Sequence, residues 1–128
     1  MKIAATIARY LLGLGFTVFG LNMFFNFIPA PPPPPGYAGQ FSMLMMATHY
    51  MYAVGSVMVV SGLLFLANRY VALALVLLAP VLYNILIFHI VMNPSGIGMG
   101  LFFTLLWFLV AWYHRAALAC LFQKRLSD

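Results

Sequence analysis

The chain has 128 residues, of which 66% are hydrophobic and 5% charged, with a formal net charge of +5. A soluble domain of this length needs far more charged surface, so the composition excludes one. Glu is absent and Asp128 is the only acidic residue, which excludes paired-carboxylate catalysis, carboxylate metal sites and an exporter built round a membrane Glu.

Four apolar stretches, 6–27, 49–66, 71–91 and 97–117, each approach the ~20 residues a helix needs to cross a bilayer. The first follows Lys2 as a signal peptide would. Its apolar part is too long for a cleaved leader and no Ala-x-Ala pattern follows, so a retained helix is expected. It carries "GLG" at 13–15 and Gly20, small residues that admit a close neighbour. Near its end Asn22 and Asn26 share one face at four-residue spacing. Six of the eight prolines then fall in 29–36, which cannot be helical and should form a stiff polyproline II strap over the outer mouth of the bundle. Docking of a proline-binding partner is the competing use.

The stretch "GQFSMLMMATHYM" at 39–51 clusters Met43, Met45, Met46 and Met51 with His49. Thioethers and imidazole suit copper(I), but these methionines sit in an apolar segment, where flexible filler is the better reading. Helix 49–66 ends at the short turn "NRY", and helix 71–91 holds Pro80, whose ring frees the Val76 carbonyl. Helix 97–117 brings Thr104 and Trp107 into the membrane. The glycines of "GIGMG" at 96–100 follow no strand and read as a packing surface rather than a phosphate loop. The single cysteine, Cys120, excludes a disulfide-exchange enzyme, which needs a pair.

All six Lys and Arg residues fall on one side of a four-helix topology: Lys2 and Arg9 at the start of the first helix, Arg69 between the second and third, and Arg115, Lys124 and Arg125 after the fourth. The connections 29–48 and 92–96 hold none. The positive-inside rule makes the basic side cytoplasmic and puts both termini there. The charge also suits anionic membrane lipid; nucleic acid is not implied.

These pieces in this order resemble the DoxX family of small four-helix bacterial membrane proteins. The likeness rests on "RYLLGLGFTVFGLN", the proline-rich outer loop, "SGLLFLANRYVALALVLLAPVLYNILIFH" and "NPSG", and runs from about Arg9 to Arg115. It implies an all-α bundle in the bacterial cytoplasmic membrane, associated with a redox system. It also implies a quinone as ligand and a larger membrane redox complex as partner. Where similar members carry His after the "FGLN" Asn and near position 26, this chain has Met23 and Asn26; where many carry Glu or Gln in the second helix, it has Met58. Those departures point to a quinone-linked subunit at most, rather than to an enzyme by itself.

Counted from the outer ends, Asn22 lies about 9 Å deep, Asn84 about 12 Å and Thr104 about 10 Å, with His49 and His89 near the headgroups. Buried polar residues thus gather in the outer half while the inner half has almost none, which predicts a polar seam or an outer-leaflet pocket. Asn22, Asn26, Asn84, His49, His89 and Thr104 are the candidate ligand contacts, with Tyr83 and Trp107 stacking on a quinone ring. Asn84 is expected to bond across to Asn22 or to backbone near Pro80. His89 shares a face with Met92 and Asn93. Haem ligation by His49 and His89 would require facing imidazoles, and neither a metal nor a covalently bound cofactor is expected. A structural subunit of a larger complex is the alternative function, and a small transporter the third.

Overall fold

A helix that is apolar on every side, rather than along one stripe, can stand in lipid without help from water. Four such helices account for most of this chain. The computed structural model describes residues 1–125, and among them the regular structure is wholly helical. Helix α1 spans Lys2–Phe25, α2 Tyr37–Ala47, α3 Tyr50–Ala67, α4 Val71–Val91, α5 Ile97–Tyr113 and α6 Arg115–Leu118, with 3-10 turns at Pro94–Gly96 and Ala119–Phe122. Helices α1, α3, α4 and α5 are long and apolar enough to cross a membrane, α5 together with its preceding turn. The protein is a multi-pass membrane protein.

The spans form a closed ring in which α1 packs on α3, α3 on α4, α4 on α5 and α5 back on α1. Each neighbour runs antiparallel to the next. One end of the bundle therefore carries Lys2, Arg69 and Arg115, and the other carries the proline loop and Pro94. Leu12, Phe65, Leu75, Leu78 and Val110 are fully buried at the centre, and Phe16 meets Phe103 edge-on at 5.1 Å between ring centroids.

Glycines decide how close α1 and α3 come. A Cβ added to Gly13 would lie 3.0 Å from the Gly62 carbonyl oxygen, and one added to Gly62 would lie 2.9 Å from the Gly13 oxygen. One turn-pair further on, Gly20 and Gly55 stand in the same reciprocal relation, at 3.0 and 3.1 Å. Each helix thus repeats its glycine after seven residues, the period that keeps one seam facing a partner through a left-handed crossing.

Several boundaries differ from expectation. Helix α1 runs from Lys2 to Phe25 rather than over 6–27: Ile3, Ala4 and Ala5 continue the apolar helix toward the N-terminus, and the left-handed Asn26 ends it. The fourth span ends at Tyr113 instead of 117, where His114 leaves helical geometry. Helix α2 was not expected at all. Its eleven residues are too short to span a bilayer, so a search for spanning stretches passes over it.

Helix α2 lies at the proline end, where Phe41 meets Phe88 of α4 at 5.6 Å. Residues 29–35 hold no regular hydrogen-bonded structure, as the prolines require. They run against the first turn of α2, whose Ala38 and Gly39 are buried. A Cβ on Gly39 would overlap the Pro34 carbonyl oxygen. The strap thus packs on α2.

Candidate functional site

The polar residues of the proline end are largely spent on backbone near them in sequence. The Asn22 side-chain oxygen accepts from the Ile28 amide at 2.8 Å, and its carbonyl accepts from the Asn26 amide at 2.9 Å. Asn26 itself is left-handed, with φ 50°, a conformation that Asn tolerates after a helix. Together the pair turns the chain out of α1 into the proline strap. Asn84 donates to the Pro80 carbonyl at 2.8 Å, one turn back on its own helix, so its bond is to backbone at the proline and not to Asn22. Thr104 donates to Gly100 at 2.7 Å in the same manner.

His89 is half-buried, with Nδ1 3.2 Å from the Asn93 oxygen. It lies so close to Gly96 that a Cβ there would come within 2.7 Å of its ring. Its ring fills the α4–α5 turn. His49, at φ 59°, follows Thr48 in the two-residue link between α2 and α3 and stacks on Tyr52 at 5.2 Å.

The two rings expected to share a ligand are parted. Tyr83 is 65% exposed on the outside of α4, whereas Trp107 donates to the Leu75 carbonyl of the adjoining α4 at 3.0 Å. Leu75 lies about 12 Å along α4 from Tyr83, toward the basic end. The structure therefore brings Asn22 to Asn26, and His89 to Asn93, but does not gather the eight candidates round one space. Among the described residues no three His, Cys, Asp or Glu side chains come together as metal ligands would.

Two cavities lie elsewhere, and none of the eight lines either. The first is an apolar groove of about 310 Å³ between α1 and α5, walled by Leu11, Leu14, Val18, Phe19, Phe102 and Phe103 with Gly15 at its floor. The second, about 260 Å³, opens at the basic end between the start of α1, the α3–α4 turn and the end of α5. It is lined by Lys2, Ala5, Thr6, Arg9, Asn68, Tyr113 and His114.

Arg9 is an exception to the expected near-absence of buried polar groups in the basic half. Its side chain is 7% exposed, and Nη1 donates to the Phe65 carbonyl in the last turn of α3. Carbonyls there carry the partial negative charge of a helix C-terminus, which offsets part of the cost of burying a cation. The guanidinium also lies 4.4 Å from the centroid of the Tyr10 ring. Beside it, burial foremost and then the Arg9 charge hold the His114 imidazole below its ordinary pKa.

By its place near the start of the first helix, Arg9 reads in the sequence as a topology marker. The signal that it is more lies in its distance from Lys2: seven residues of helix put it about 10 Å along α1. The hydroxyls of Thr17 and Ser61 are also buried, without a hydrogen-bond partner among the described residues. No protein-family model, no curated protein and no solved structure matches the chain.

Proposed function

We propose that the protein is a DoxX-like component of a bacterial cytoplasmic-membrane redox system, and that it holds the apolar part of a quinone in the groove between α1 and α5. The observation that carries the reading is the groove itself. Three phenylalanine rings and a glycine floor make flat apolar walls, and its volume is near the lower range of small-molecule sites. The DoxX part rests on the sequence motifs. A structural subunit is the second reading, favoured by the local bonding of Asn22, Asn84 and Thr104, which leaves these groups committed to their own segments.

Leu14→Trp should fill the groove from its exposed wall and reduce quinone coextracted with the purified protein by at least about tenfold, the effect of losing ~1.4 kcal/mol. Mass spectrometry of the extract checks this. A wild-type protein carrying no quinone, or a variant carrying as much as wild type, leaves the structural-subunit reading in its place.

With the basic end cytoplasmic, the native Cys120, which is exposed, serves as a reporter. An impermeant thiol reagent should label it in opened membranes and not in intact cells. A cysteine at Ala30, in a Cys120→Ser background, should behave in the opposite way. The reverse pattern would invert the topology.

A further inference from the structure

We propose that the cavity at the basic end is a binding site for a phosphate group, supplied either by an anionic phospholipid or by a free phosphate. This site is separate from the α1–α5 groove and does not depend on the quinone reading. Burying a guanidinium is costly unless it is paired, yet no carboxylate occurs among the described residues. Arg9 makes one hydrogen bond among them, to Phe65. A guanidinium has five N–H donors in a fork that matches the oxygens of a phosphate. Arg9 lines a cavity whose wall also includes Lys2, a second cation.

The other lining groups suit the same ligand. The Asn68 amide and the Tyr113 phenol can each donate to an oxygen, and the His114 imidazole can donate a ring N–H. Asn68, which also lines the cavity, ends α3 in a left-handed conformation, with φ 54°. The depth is that of the headgroup region, because Lys2 opens α1 and Tyr113 closes α5 at this end. The cavity size suits a headgroup rather than an entire lipid, whose chains would have to run outward along the bundle.

The test uses the full-length protein in nanodiscs of mixed phosphatidylglycerol and phosphatidylcholine, and separately in detergent with inorganic phosphate. Native mass spectrometry should show phosphatidylglycerol retained at least about tenfold over phosphatidylcholine, a preference worth ~1.4 kcal/mol. Arg9→Gln should abolish the preference and Lys2→Gln should reduce it severalfold. Arg69→Gln and Arg115→Gln, which remove charges at the same end but outside the cavity, should leave it unchanged.

Saturable phosphate binding in detergent, lost in Arg9→Gln and with no lipid preference in nanodiscs, would assign the site to the free ion. If Arg9→Gln fails to fold, as judged by circular dichroism and gel filtration, the contrast of Lys2→Gln with Arg69→Gln decides alone. Equal losses in Lys2→Gln and Arg69→Gln would reduce the effect to general surface charge and overturn the proposal. So would the absence of both lipid preference and phosphate binding.

Discussion

Gly62→Ala should destabilise the bundle by about 1–3 kcal/mol, the usual cost of overpacking, and Gly62→Leu should prevent recovery of folded protein. The new Cβ would lie 2.6 Å from the Thr17 amide nitrogen and 2.9 Å from the Gly13 carbonyl oxygen, and it would also strike the Thr17 hydroxyl. Two of these atoms are helical backbone and cannot rotate away as a side chain would. Relief requires α1 and α3 to separate along a seam that includes the reciprocal Gly20–Gly55 contact.

In lipid this separation is costly for a specific reason. Apolar chains gain little by leaving lipid tails for each other, so close packing is the main attraction between spans. The control is Gly98→Ala, where nothing lies within 4 Å of the added Cβ. It should cost nothing. Unfolding in detergent followed by circular dichroism measures both, and equal stability of the two variants would sink the argument.

Gly39→Ala should detach the proline strap while leaving the four spans intact. The added Cβ would overlap the Pro34 carbonyl oxygen and lie 3.2 Å from the Pro34 carbonyl carbon and 3.6 Å from Pro33 Cβ. Proline fixes its own φ and restricts the residue before it, so the strap cannot yield by a local twist. Either α2 rotates or the strap lifts as a unit. Amide exchange of α2 should then quicken by about tenfold or more, corresponding to ~1.4 kcal/mol of lost local stability. Exchange in α1, α3, α4 and α5 should not change. Protection of α2 equal to that of wild type would show that the strap does not hold it.

Sequence by itself determined the number of spans, their approximate limits and the break at the prolines. Those are properties of single segments: hydropathy and length describe one helix against lipid, and proline acts on its own backbone. The same local logic found Gly13 and Gly20 as packing residues. It could not name Gly55 and Gly62 as their partners, because the pairing depends on the register of α3 against α1. Nor could it see α2, an apolar helix of eleven residues that needs the bundle end and the strap to lie on.

Depth did not say which side chains face each other, for a related reason. Asn22 and Asn84 lie at similar depths, but each residue advances a helix by about 100°, so equal depth does not make two side chains face each other. Tertiary structure left both amides bonded within their own segments. It turned Trp107 toward Leu75 and brought the end of α3 to the guanidinium of Arg9. Whether a polar side chain meets lipid, its own backbone or a neighbouring helix is set by the rotation of the helices about their axes. That rotation is settled by packing between segments, where glycines and bulky rings meet, and no single segment specifies it.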